Sequence, residues 1–179
     1  MLDMTNDYAQ NMAIFNRAGR QTVDELFAKH GITLEQIAKI TVDLQQRFLP
    51  NISVEKVVPV IDNMLNKDEV QDVIILGFTL DDLAERDLLP EPLLTKVRRD
   101  EGSFGIDELL VSGIYSLYGT ISVTNFGYAD RIKSGLIGEI DAKGKASFDV
   151  STTFQDDIIG ALATGACGYF AHNPQTLVE

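Results

Sequence analysis

Apolar positions recur at helical spacing along most of the chain and almost nowhere alternate as in a strand. Val57, Val60, Ile61 and Leu65 fall on one stripe, and Val70, Val73, Ile74 and Gly77 on another. Boundary signals divide the pattern. Thr22 with Glu25 reads as a capping box, and Gly31 stops that helix after His30. Thr33 with Gln36 opens a second helix that runs to about Phe48, where Leu49-Pro50-Asn51 turns the chain. Ser53 caps a third, in which Pro59 predicts a kink or a later start. A fourth begins near Asp68 and continues through Leu83 and Ala84. Pro90 and Pro92 frame a short fifth that ends at Arg98 and Arg99, where cations suit the negative end of the dipole.

After the loop Asp100-Glu101-Gly102-Ser103-Phe104-Gly105 the pattern changes. Ile106 to Val123 is apolar or small nearly all round, which predicts a central position. Asn125 to Ser134 reads as a loop and a short helix. Gly135 to Phe148 contains Asp141-Ala142-Lys143-Gly144, which reads as a surface turn with room for a small hairpin. Thr152 or Thr153 caps a last helix from Phe154 to about Ala171. The expected architecture is all-α: a compact single-domain bundle over 1–179, with charged amphipathic helices in 1–99 covering two apolar central helices in 100–172.

Charge narrows the function. With 15 Lys and Arg against 27 Asp and Glu, the net charge is −12. Such a chain repels phosphate backbones, so no nucleic-acid partner is expected. Anionic lipid surfaces are repelled too, unless divalent cations intervene. One cysteine, Cys167, and two histidines, His30 and His172, exclude a disulfide framework, a multi-cysteine zinc site and a three-histidine site. A metal here takes oxygen ligands, which selects magnesium, manganese or calcium. The N-terminus has acidic residues early and no basic-then-apolar run, so it does not read as a signal peptide. Leu109 to Ala129 and Ile158 to Val178 are uncharged for a membrane span, but their hydroxyl and amide content reads as helices buried in a soluble protein. The expected compartment is the cytoplasm, with the inner membrane surface as a peripheral station.

The two most apolar helices each begin with an acidic pair, Asp107-Glu108 and Asp156-Asp157. Acidic residues in a first turn commonly just complement the helix dipole. If the two starts converge, several carboxylates at one spot repel by kcal/mol per close pair at an effective dielectric of about 20. A hard divalent cation relieves that repulsion and can hold a phosphate group as well.

Three motifs carry a resemblance. They are Asp100 to Glu108, ending in the Asp-Glu pair; Asn125 to Gly135, containing Asp130 and Lys133; and Phe154-Gln155-Asp156-Asp157-Ile158-Ile159-Gly160-Ala161. In order and spacing they resemble the phosphatidylglycerophosphatase A family, in particular its soluble bacterial branch of low-temperature-requirement C-like proteins. The resemblance covers 100 to about 172. Ser134 stands where the family pattern has proline, and the glycine-rich N-terminal element and spanning helices of membrane-bound members have no counterpart.

The resemblance implies an all-α, magnesium-dependent phosphatase that converts phosphatidylglycerophosphate to phosphatidylglycerol. It implies Asp107, Glu108, Asp130, Asp156 and Asp157 as the acidic set and Lys133 as the cation. In the mechanism this suggests, Asp107, Glu108, Asp156 and Asp157 hold one or two Mg2+ ions. Asp130 takes a proton from water, and Lys133 meets the phosphate. A route through an aspartyl-phosphate, with Asp107 counted among the catalytic residues, stays open. The partner is a phosphorylated lipid or a small phosphate ester, with transient contact at a membrane surface.

Two other classes compete. Asp81-Asp82-Leu83-Ala84-Glu85 resembles a diphosphate-magnesium motif, which favours an all-α nucleotide pyrophosphatase; the plainer reading is a solvated helix start capped by Thr79. A regulatory or interaction protein that retains the fold without the chemistry is the third. Cys167 reads as a free buried thiol and His30 as a cation at a helix end. His172, five positions after Cys167, is off its face. Gly160, Gly165 and Gly168 read as close helix packing, with a homo-oligomer contact as the alternative.

Overall fold

The computed structural model describes residues 4–177, with side-chain surroundings from residue 10 onward. Nine α-helices and two short 3-10 turns make up the described residues, with no strand among them. The helices are α1 (Met4–His30), α2 (Leu34–Gln45), α3 (Val54–Met64), α4 (Asp68–Glu85), α5 (Leu93–Arg98), α6 (Ile106–Tyr115), α7 (Thr120–Ile132), α8 (Leu136–Ala146) and α9 (Gln155–His172). The all-α architecture is the one the periodicity predicts.

α9 is the axis of the molecule. Fifteen of its 18 residues are buried, and α2, α3, α4, α6, α7 and α8 all pack on it. α1 and α5 lie outside this ring against α4. Glycines let the neighbours approach α9 closely. A Cβ at Gly168 would stand 2.5 Å from the Tyr118 carbonyl oxygen and 3.0 Å from Ser122 Cβ. A Cβ at Gly165 would stand 2.6 Å from Met64 Cε and 3.1 Å from the Tyr118 ring. The small-residue surface is therefore consumed inside the chain, by close helix packing.

Several boundaries differ from the sequence reading, each for a local reason. Thr33 and Gln36 form the expected capping box on α2. Thr22 and Glu25 do not start a helix: α1 runs straight through them. The Thr22 hydroxyl donates to the Ala18 carbonyl at 2.9 Å, and Glu25 accepts from the Gln21 amide at 2.8 Å, so interior partners satisfy both side chains. α3 begins at Val54 and continues through Pro59 without a delayed start.

The apolar stretch beginning at Ile106 is two helices. Gly119, at φ +84°, turns the chain after a 3-10 turn over Ser116–Tyr118. Both helices lie on α9 by one face and leave Leu109 and Val123 exposed, and Leu117 in the 3-10 turn between them is exposed too. Asn125 to Ile132 is part of α7 rather than a loop. The proposed hairpin is helix α8, whose Leu136, Ile137 and Ile140 are buried one turn apart. The last helix is not capped by Thr152 or Thr153. Their hydroxyls donate to the Ile140 and Val97 carbonyls, and Phe154 occupies the cap position.

Candidate metal centre

Five chain segments meet at one cleft of about 520 Å³: the loop over 100–105, the start of α6, the end of α7, the second half of α8 and the start of α9. Asp107 is buried at the α6 start, and one of its carboxylate oxygens accepts the Glu108 N–H at 3.1 Å. Glu108 projects outward beside it. Asp157 reaches the same spot from α9. One carboxylate oxygen each of Asp107, Glu108 and Asp157 lies within 4.8 Å of the others. That set of hard oxygen donors can hold a metal ion.

Asp156, the neighbour of Asp157, is turned a different way. Its carboxylate accepts from Lys133 Nζ at 2.6 Å. The same ammonium bonds Asp130 at 2.8 Å, one helical turn back, and lies 3.8 Å from Asp141. Lys133 closes α7 in a left-handed conformation, φ +48°, with its N–H on the Ala129 carbonyl at 2.8 Å. That conformation is unfavourable for a lysine and is found where surrounding structure overdetermines it. The first acidic pair of the sequence therefore stays together and the second divides: Asp157 joins Asp107 and Glu108, while Asp156 joins Asp130 on Lys133.

The electrostatics follow. Burial, then the neighbouring Asp156 charge, pushes the Asp157 carboxyl up to about 9. Burial and the adjacent Glu108 raise Asp107, while the bond with Asp107 lowers Glu108. Burial also raises Asp156, to about 6, with Lys133 opposing it. At Lys133 burial works against the ammonium, but Asp156 and Asp130 outweigh it and hold it charged well above the ordinary lysine value. Without a cation the three-carboxylate cluster thus holds protons that it would release on binding one.

Asp100, Asp141 and Lys145 also line the cleft. Asp141 was read as part of a surface turn, yet it sits 15% exposed between Lys133 and Lys145. The signal that finds it is the helical spacing of Leu136, Ile137 and Ile140, with Lys145 one turn on. Asp81 was read as part of a solvated helix start. It is fully buried within α4 and accepts from Ser151 Oγ at 2.8 Å and Phe154 N–H at 3.2 Å. Asp82 points elsewhere, to Arg86 at 3.2 Å and Lys29 at 3.7 Å. Asp81 and Asp82 do not converge on one ligand, so the diphosphate-magnesium reading has no geometric basis.

Other sequence readings meet their surroundings here. Cys167 is a free buried thiol, pushed up to about 12 by burial. His30 ends α1 with its ring edge-on to Phe78 at 5.1 Å, and burial lowers its pKa. No helix among the described residues is long and apolar enough to cross a membrane.

Fold and cleft together define an all-helical protein whose carboxylate cluster can hold a metal ion beside a fixed ammonium. The chain belongs to the phosphatidylglycerophosphatase A family, whose pattern it matches over residues 32–172. That is a metal-dependent phosphatase family. The chain is similar to the Bacillus subtilis protein YpjQ, described as uncharacterised. The two are 41% identical over 155 residues, 87% of this chain and 85% of that protein. The crystal structure of YpjQ superposes with a TM-score of 0.83 at 38% identity, covering 89% of this chain and 97% of that one. The crystal structure of the low temperature requirement C protein from Listeria monocytogenes gives a TM-score of 0.83 at 32% identity, covering 88% and 98%.

Proposed function

We propose that this protein is a magnesium-dependent phosphatase that hydrolyses phosphatidylglycerophosphate to phosphatidylglycerol. One observation supports this most: a three-carboxylate cluster and a tightly held ammonium face the same cleft. Asp107, Glu108 and Asp157 would hold the ion. Magnesium there supplies charge neutralisation for phosphoryl oxygens and acidifies water. Lys133 offers its Nζ to a phosphate oxygen as a point charge, aimed by Asp130 and Asp156. Asp130, less buried than Asp156, takes the proton of the attacking water. The water oxygen joins phosphorus, the bond to glycerol breaks, and the proton passes on to leave a neutral glycerol hydroxyl.

A lipid substrate gains support from exposed apolar residues on the helices that carry the site. Ile106 (48% exposed) and Leu109 (67%) on α6 and Ile132 (53%) on α7 each adjoin a cleft-lining residue in sequence, and Tyr128 (58%) lies two positions before Asp130. Exposed apolar groups on these helices suit shallow contact with a bilayer surface while the headgroup enters the cleft. That contact is transient and peripheral, on the inner membrane face.

The test is phosphate release from phosphatidylglycerophosphate in mixed micelles, with and without Mg2+, beside Asp157→Ala and Asp156→Ala. Release that needs magnesium and is lost in both variants is the expected result. Release from soluble phosphate esters alone would reject the lipid substrate. No release from any ester, with a magnesium-induced rise in Tm, would leave a cation-binding regulatory protein.

A further inference from the structure

Asp81 is the most deeply buried carboxylate outside the metal cluster, and it does not line the cleft. Both of its oxygens are used. Oδ1 accepts the Ser151 hydroxyl at 2.8 Å, and Oδ2 accepts the Phe154 N–H at 3.2 Å. One turn along α4, Glu85 Oε1 accepts the Ser151 N–H at 3.1 Å. The Ser151 carbonyl in turn accepts from Gln155 Nε2 at 3.1 Å. These four bonds span the turn that precedes α9, and Asp156 and Asp157 follow it directly. The next two hydroxyls tie the same turn elsewhere, Thr152 to α8 and Thr153 to α5.

We propose that Asp81 and Glu85 form a clamp that positions the first turn of α9, and so set where Asp156 and Asp157 point in the cleft. Asp81 is a positioning residue that acts through the 151–154 turn. This rests on the metal-centre reading above. The physical case is economy of partners. A fully buried carboxylate with no cation beside it is costly to keep. Two neutral donors from one turn are its recompense, and they fix that turn in two directions at once. A rotation of the α9 start by one residue would advance each carboxylate by about 100°, taking Asp157 out of the cluster with Asp107 and Glu108. The i, i+4 spacing of Asp81 and Glu85 lets both reach the turn from one face of α4, while Asp82 faces away.

Three variants separate positioning from plain stability: Asp81→Ala, Asp81→Asn and Ser151→Ala. Asn keeps an acceptor for Phe154 N–H and turns its amide toward Ser151 Oγ, so it keeps the geometry without the charge. Ser151→Ala removes one bond and is the variant most certain to fold. Two readouts apply to folded protein: magnesium affinity by calorimetry and amide exchange at 154–157 without metal. The clamp predicts faster exchange at 154–157 in Asp81→Ala and about 10–100-fold weaker magnesium binding, the range for groups that orient metal ligands. Ser151→Ala should show a smaller loss, and Asp81→Asn should stay near wild type. Unchanged affinity in Asp81→Ala or Ser151→Ala at lowered Tm would overturn the clamp, as would Asp81→Asn losing as much as Asp81→Ala. If the wild-type protein binds no magnesium, the metal-centre reading fails, and the exchange comparison alone decides whether the clamp holds the turn.

Discussion

Asp156 and Asp157 open α9, and Gly165, Cys167 and Gly168 lie about two to three turns further along it. Both stretches are buried to the same degree. The first hides charged groups whose protonated forms burial favours, and it is fixed by ion pairs and hydrogen bonds. The second hides almost nothing but methyl groups and backbone, and it is fixed by close approach to Tyr118 and Ser122. Burial at one end carries an electrostatic cost and creates a site. Burial at the other end is where the helix is anchored. Changes at the two ends should therefore separate activity from stability.

The largest expected effect belongs to the charged end. Asp157→Ala and Lys133→Ala should each lower kcat/KM by at least about 100-fold, since the first removes a metal ligand and the second the cation that meets the phosphate oxygens. Asp157→Ala should leave the metal-free Tm unchanged or raised, because it deletes a carboxylate that burial disfavours. Steady-state kinetics and a melting curve on the same sample check both halves. At the packed end, Gly168→Ala should cost about 1–3 kcal/mol from overpacking against the Tyr118 carbonyl. That is a Tm loss of roughly 2–4 °C per kcal/mol. Its kcat per folded molecule should hold.

pH offers a finer cut. Asp156 at about 6, Asp81 at about 7 and Asp157 at about 9 all lie above the ordinary value of 3.8 for an aspartate in the unfolded chain. The folded state thus binds more protons than the unfolded state between those values. These groups stabilise fully below about pH 4, and their contribution is lost as pH rises through 6 to 9. The metal-free Tm should fall over that range, and Mg2+ should reverse the fall. A metal-free Tm that climbs from pH 6 to 9 would refute the assignment of buried carboxylates. The smallest effect is expected at Cys167. Cys167→Ala should leave kcat unchanged, and the native thiol should resist alkylation until the protein unfolds.

How much of this was legible in the sequence depended on how local each determinant is. The Thr33 and Gln36 box declares itself within four residues, and it holds in the structure. The acidic pairs could be seen as candidates because both open apolar helices. Which member of the Asp156-Asp157 pair faces the cluster is set by helix phase against the neighbouring segments, and no local pattern encodes that. Asp141 was missed because Lys143 and Gly144 look like a turn, while the apolar positions that make α8 a helix lie just before them. Asp81 was missed because its partner Ser151 is 70 positions away. The break at Gly119 was hidden by the uniformly uncharged residues on both sides. A glycine there looks unremarkable until its positive φ is known.

The central place of α9 also bears on synthesis. The ribosome makes this helix after all the elements it supports: α2, α3, α4, α6, α7 and α8 precede it in the chain. Translation at about 5–20 residues per second makes the wait on the order of 10 s. During that time Ile37, Ile61 and Ile74, all fully buried later, have no axis to close on. Pairs such as α1 with α4 and α2 with α3 have partners earlier, but the core they share cannot close before α9 is made, so a chain that stops short of Gln155 leaves these residues uncovered.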